Sequence, residues 1–557
     1  MKNRNIIAIM AVVAVLASSC IKETFPTDKA TTQQLAGSPS ALAAAVNGLP
    51  AQLVQGYLIY GSQTYEFDMA YPGIMLALDQ ASGTIVDNSE EGSGYDWYSY
   101  WSGFGSFTIG PKTARAYVPW LTFYMFIKSA NDVIGAVPED ETDALKLQYK
   151  GMAYAVRAWQ YLNLTRVYEW KAPTDPNVDA KYKPENDIKG LTVPIVTEAT
   201  TLEDAKNNPR VPEDDMYKFI FEDLDKAEAY MANYSEKNPV LPSLPVVYGL
   251  QARANLERGS SLEEKAAGSG SEYFKKAAEY AQKAIIASGC TPLTQAEWED
   301  PVNGFNSAVS NNAWMWCLRY SAETTSNLCT YVGHLSVEPT WTAYAFAPCR
   351  GLLCETYDRI SNTDWRKHSW IDPKGKDFYK YKTNRDVFDP EHKPAMPYTS
   401  LKFRPGKGNC DTYKEGGVTD VPLMRVEEMY FIKAEAEAMS DLAQGKATLT
   451  SFLQSYRNPN YSCNASTLRA FQEEIFFQKT IEFWGEGIIF FDAKRLAMGQ
   501  HNGFTGTNAC SDQHYNCTGV CPWWNWVIPQ SEIEGNPALD GYNNPDPTGS
   551  VKKWVDK

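Results

Sequence analysis

Residues 145–164 read LKLQYKGMAYAVRAWQYLNL, and this stretch decides the fold class. Leu145, Tyr149, Met152, Val156, Trp159 and Leu162 recur at steps of three and four, which places them on one face of an α-helix. Gly151, Ala153, Ala155 and Ala158 lie between them and are small enough to let a neighbouring helix approach closely. The same signal recurs outward from here. A second helix is predicted from about Glu213 to Tyr230, opening after Pro212 and carrying Met216, Tyr217, Ile220 and Leu224. A third covers Val246 to Arg258. After a Gly/Ser-rich connection, Gly259 to Ser271, a fourth runs from Glu272 to Ala287. Two more are predicted over Arg425 to Asp441, with Val426, Met429, Ile432, Ala436 and Met439 as the buried stripe, and over Ser466 to Gly485. The apolar-aromatic run Ala313 to Leu318 reads as a strand.

The third and fourth helices resemble a tetratricopeptide unit. Phe274, Ala277, Ala281 and Ala284 put small residues where two such helices cross, although the connection is longer than in a regular repeat. The expected fold is mostly α: tetratricopeptide-like helix pairs with long irregular loops and a few short strands.

The N-terminus reads as an export signal. Lys2 and Arg4 precede an apolar run from Ile6 to Ala17, too short to span a bilayer. Leu16-Ala17-Ser18-Ser19-Cys20 resembles a lipobox, although the usual leucine stands one place early and Ala17 takes its position. Residues 1–19 are thus expected to be a leader, and Cys20 the acylated first residue of one large domain, 20–557. The net charge of −15 argues against nucleic acid and suits a solvated surface with a neutral ligand. Beyond Cys20, ten cysteines lie between Cys290 and Cys521, an even number that predicts disulfides in an exported chain. The alternative is a zinc site at Cys510, His514, Cys517 and Cys521, which have suitable ligand types.

The sequence resembles the SusD/RagB family of outer-membrane nutrient-binding lipoproteins in ordered blocks across nearly the whole mature chain. Ser38 to Gly48 is similar to the family's first helix, and Tyr71 to Asp79, Tyr154 to Leu164 and Val193 to Val196 follow in order. Tyr357 to Arg366 resembles its Asp-Pro-Arg turn, with Trp365 replacing the proline. Arg425 to Ala436 is close to its most recognisable helix. Glu482 to Gly487 with Phe491 to Arg495, Ile528 to Ile533 and Asn543 to Pro545 complete the set. Gln478-Lys479 replaces a common Glu-Arg, and Ile489 stands where an arginine is usual. The resemblance implies a cell-surface protein at the outer membrane that passes its ligand to a TonB-dependent SusC-like barrel.

An enzyme would need a constellation that the sequence does not offer. Glu427/Glu428, Glu473/Glu474 and Glu482/Glu486 are paired carboxylates of the kind glycoside hydrolysis uses. They fall in helices beside Lys433 or Lys479, where solvated faces and ordinary ion pairs are expected. Five scattered histidines form no metal-binding pair, and neither a cofactor nor a resident metal is expected. A binder needs less. A sugar presents a C–H face that a flat ring covers and a hydroxyl edge that polar groups address. Residues 92–104, GSGYDWYSYWSGF, hold six aromatics without an aliphatic residue. Tyr95, Trp97, Tyr98 and Trp101 are the expected ligand platform, with Trp341 and Tyr344 as a second wall. Trp314 and Trp316 are expected in the core, and Trp523, Trp524 and Trp526 in a disulfide-stapled loop. A peptide ligand remains the alternative within the binding class.

Overall fold

The computed structural model describes residues 35–54, 70–88, 109–234, 238–305, 307, 311–325, 330–341, 350–377, 379–389 and 395–556. Its principal elements are α1 (Pro39–Gln52), α2 (Tyr71–Ala81), β1 (Ile85–Asp87), α3 (Ala114–Ala136), α4 (Ala144–Tyr168), α5 (Glu213–Met231), α6 (Leu244–Lys265), α7 (Ser271–Ser288), β2 (Trp314–Arg319), β3 (Arg350–Leu352), α8 (Cys354–Arg359), β4 (Asp420–Arg425), α9 (Val426–Ala438), α10 (Leu442–Tyr456), α11 (Leu468–Phe483), α12 (Ile489–Arg495), β5 (Gln500–His501) and β6 (Asn516–Cys517). The fold is mostly α. Helices α4 and α5, α6 and α7, and α9 and α10 pack as pairs, and contacts of α5 with α6 and α7 with α9 stack one pair on the next.

Helix α4 is the axis of this stack. It starts on Asp143, whose carboxylate accepts the N–H groups of Leu145 and Lys146. At its other end three side chains answer the unpaired carbonyls. Lys494 donates to Val167 O and Glu169 O, while Arg210 and Asn544 donate to Tyr168 O at 2.8 Å. The expected apolar stripe is only part of its buried surface. Every residue from Lys150 to Thr165 is buried, because α1, α3 and α5 surround the helix, whereas Leu145 is half exposed. A β-carbon on Gly151 would lie 2.7 Å from Met231, so the small residues do admit α5 closely.

The Gly/Ser-rich connection is mostly helix. Helix α6 runs through Gly259, Ser260 and Ser261 to Lys265, leaving only residues 266–270 to turn the chain. Gly259 serves packing, since a side chain there would strike the Phe274 ring at 2.8 Å. Helix α7 then buries Phe274, Ala277, Ala281 and Ala284, the four residues expected at the crossing. Strand β2 pairs antiparallel with β4, Trp314 opposite Arg425 and Arg319 opposite Asp420. Trp314 and Trp316 are core residues, the latter set edge-on to Trp159 with ring centres 4.6 Å apart.

Four of the paired glutamates are in the interior, not on solvated faces. Glu482 accepts from Arg457 at 2.8 Å, Arg366 at 3.1 Å and Arg425 at 3.3 Å. Glu427 pairs with Arg425 and Arg457, and Glu486 with Arg425 and Lys402. Asp364 holds Arg366, so four cations meet four carboxylates. The rings of Trp298, Phe305, Trp365 and Phe483 lie against the guanidiniums. Glu428 forms a separate buried pair with Arg253. The departures at 478–479 and 489 also fall at structural positions: Gln478 accepts from Arg366, Lys479 pairs with Asp492, and Ile489 is buried.

The expected disulfide staple is not formed. No disulfide links cysteines among the described residues; Cys329 and Cys349 lie outside them. The Cys354 thiol donates to Gly506 O and the Cys517 thiol to Val520 O, so these residues act as small core groups with weak donors. The late loop is held by other means. Strands β5 and β6 pair, and the Trp523 and Trp524 indoles both donate to Ala81 O. Those two rings are buried, as is most of Trp526, so they pack as expected but without a staple. Among the described residues, no group of three His, Cys, Asp or Glu side chains is placed to hold a metal ion.

Candidate ligand-binding site

Most of the aromatic platform, Tyr95, Trp97, Tyr98 and Trp101, lies outside the described residues, as do Tyr344 and Cys20. The stems of both aromatic segments are within them. Strand β1 pairs antiparallel with β3, with Asp87 opposite Arg350, Val86 opposite Gly351 and Ile85 opposite Leu352. The described chain before the first segment ends one residue past Asp87, and the described chain after the second begins at its cross-strand neighbour, Arg350. Directly opposed residues lie about 4.5–5.5 Å apart. This adjacency joins two parts of the chain that periodicity cannot relate.

Buried polar groups bolt the stems in place. Asp87 pairs with Arg350 at 3.5 Å, both almost fully buried. Gln513 clamps Asp87 from both sides: its Oε1 accepts the Asp87 N–H and its Nε2 donates to Oδ2, each at 2.8 Å. Arg350 also reaches His334 Nδ1 at 2.8 Å. Burial, then the Arg350 charge, push the His334 pKa well below its usual value, so the ring is neutral and Nδ1 accepts the guanidinium N–H. Asn88 donates to Pro397 O and accepts from Asn508. A platform on such stems has a rigid base.

Trp341 is the proposed wall residue that the structure describes. It is half-buried, and a β-carbon on Gly416 would lie 2.3 Å from its Cη2, so the ring rests directly on a glycine. Its indole N–H is buried and has no hydrogen-bond partner among the described residues. A ring seated in this way has a fixed orientation.

The carboxylates do not assemble a catalytic pair. Although burial is the largest influence and raises its pKa, Arg457, Arg425 and Arg366 together hold the Glu482 carboxyl below the usual range. It is saturated with cations and has no proton to give. Glu473 pairs with Arg469 on the surface, and Glu474 accepts from Tyr461 and Gln478. Asp79 is different: burial pushes it up to about 8 against the N–H of Gly487, so it stays protonated at neutral pH.

Sequence reading missed a second concavity. Four separated segments, around Gly83, Glu355, Phe476 and Gln500, line a cleft of about 320 Å³ at the other end of the β1–β3 ribbon. No local pattern could reveal it, because its residues meet only in the folded chain.

Residues 69–256 match a family model described as starch-binding associating with outer membrane. No functionally curated protein matches the chain. Among solved structures, a SusD-like carbohydrate-binding protein from Bacteroides vulgatus aligns with TM-score 0.65 at 21% identity, covering 89% of this chain and 97% of its own. A SusD superfamily protein from Bacteroides thetaiotaomicron aligns at 0.62 and 17%, covering 90% and 98%. A laminarin-binding SusD-like protein aligns at 0.59 and 15%, again over 90% and 98%. The helix stack and the ordered sequence blocks agree with these matches: the chain has the fold of the SusD-like structures, and its residues 69–256 match the starch-binding, outer-membrane-associating family model.

Proposed function

We propose that this chain is a cell-surface lipoprotein that captures oligo- or polysaccharide and delivers it, chemically unchanged, to a SusC-like TonB-dependent transporter. The observation that carries the reading is the pairing of Asp87 with Arg350, residues that border the two aromatic segments in the sequence. Tyr95, Trp97, Tyr98 and Trp101 form one face of the platform, and Trp341 and Tyr344 the other. Carbohydrate-binding relatives of the same fold, one of them laminarin-binding, support the ligand class. Native gels containing soluble polysaccharides test it: the protein is expected to be retarded by at least one polymer and to release no new reducing ends from it. Retardation by none, or cleavage abolished in Glu482→Gln, overturns the reading.

Residues 1–19 are the leader, residues 20–557 form the SusD-like domain, and acyl chains on Cys20 attach it to the outer membrane. No helix among the described residues is long and apolar enough to cross a membrane. Cys20→Ala is expected to leave the body folded and release it from the membrane fraction. A variant that stays bound after high salt in cells lacking the transporter refutes the anchor.

A further inference from the structure

The cleft at the far end of the β1–β3 ribbon has the chemistry of a binding site. One wall is apolar: Phe476 is half-buried and Phe477 lies beneath the Arg359 guanidinium, 4.1 Å from its ring centre. At the rim, the His501 ring stacks on Phe504 and reaches Glu355 at 3.4 Å. Arg469 pairs with Glu473 at 2.9 Å. The lining thus carries two arginines and two glutamates, whose formal charges cancel. Deeper in, the Gln500 Oε1 accepts the Trp523 indole N–H. Asn502 is only 2% exposed and lines the cleft beside Gln500. At about 320 Å³ the cleft falls at the small end of ligand-pocket sizes.

We infer that this cleft is a second carbohydrate subsite, built by Phe476, Arg359, His501, Gln500 and Asn502, that holds one or two neutral sugar units of a longer chain. The phenyl wall suits the C–H face of a pyranose, the Asn502 and Gln500 amides suit its hydroxyls, and the cancelled charges disfavour an ionic ligand. Three-residue strands span about 10 Å at 3.3 Å per residue. The ribbon therefore separates the cleft from the stems of the aromatic segments by that distance along the strands. Two weak subsites on one polymer raise avidity without a new contact. The subsite shares its ligand class with the function proposed above but none of its residues.

Titration calorimetry of the full chain with maltohexaose, laminarihexaose, cellohexaose, xylohexaose and mannohexaose tests the cleft. Phe476→Ala removes the wall, and Thr356→Trp fills the cleft from the surface without touching the core. Both are expected to weaken binding of at least one hexasaccharide about tenfold or more, in a component that Trp97→Ala/Trp101→Ala leaves intact. Binding that both cleft variants retain and the double tryptophan variant loses overturns the subsite and leaves the platform standing. Binding lost only in the cleft variants upholds the subsite and overturns the platform. No heat with any of the five sugars overturns both.

Discussion

Replacing Glu482 with alanine is expected to cost the protein about 3–5 kcal/mol, the largest effect of any single carboxylate considered. The reason is arithmetic of charge. Glu482 is fully buried and faces three guanidiniums, from Arg366, Arg425 and Arg457. Removing it leaves uncompensated positive charge where water cannot follow. Glu473→Ala is the control: its pair with Arg469 is about half exposed on both sides, and such a pair contributes roughly 0–1 kcal/mol. Urea unfolding of the two variants separates them. The pH dependence carries the same sign. The folded carboxyl titrates below the unfolded one, so its stabilisation is present above about pH 4.5 and is lost as acid protonates it. The gap between wild type and Glu482→Ala is therefore expected to narrow progressively as pH falls from about 4.5 towards the depressed folded pKa. A Glu482→Ala protein that unfolds at the wild-type urea concentration at pH 7 would refute the ion-cluster account.

The second large effect is on binding. Trp97→Ala and Trp101→Ala are each expected to weaken glycan binding about ten- to a hundredfold, taking roughly 1–3 kcal/mol for a lost stacking ring. Their melting temperatures are expected to stay near wild type, because residues 92–104 lack the aliphatic side chains that build a core. Trp316→Ala is expected to behave in the opposite way. That ring is 1% exposed and packed edge-on against Trp159, so truncation opens a cavity worth about 3–5 kcal/mol and leaves the folded fraction's affinity unchanged. Gel retardation and thermal melts on the same samples read both quantities. A Trp97→Ala/Trp101→Ala double variant that melts early yet binds at full affinity while folded would place those rings in the core and remove the platform.

Local pattern was enough for the helix stack. Pro212 opening α5, Thr467 capping α11, and Phe274, Ala277, Ala281 and Ala284 on one face of α7 all act over a few residues, and the sequence displays them directly. Where an element has one wet face, its period shows. The pattern misled where no face is wet. Helix α4 is buried all round from Lys150 to Thr165, so polarity there does not mean exposure: Arg157 pairs with Asp223 and Glu198 inside the protein. The same blindness put Glu427, Glu428, Glu482 and Glu486 on solvated faces, because their partners come from distant segments. Gly259 and its serines read as a linker because composition records flexibility and not the Phe274 ring that requires the glycine. Aromatic density and the family resemblance are what put the proposed platform on residues 95–101, 341 and 344. That Asp87 and Arg350, which border those segments in the sequence, are paired, and that Asn502 and Phe476 share a cleft, was decided by tertiary structure: strand register and cavity walls are set by contacts between residues far apart in the chain, which no local period encodes.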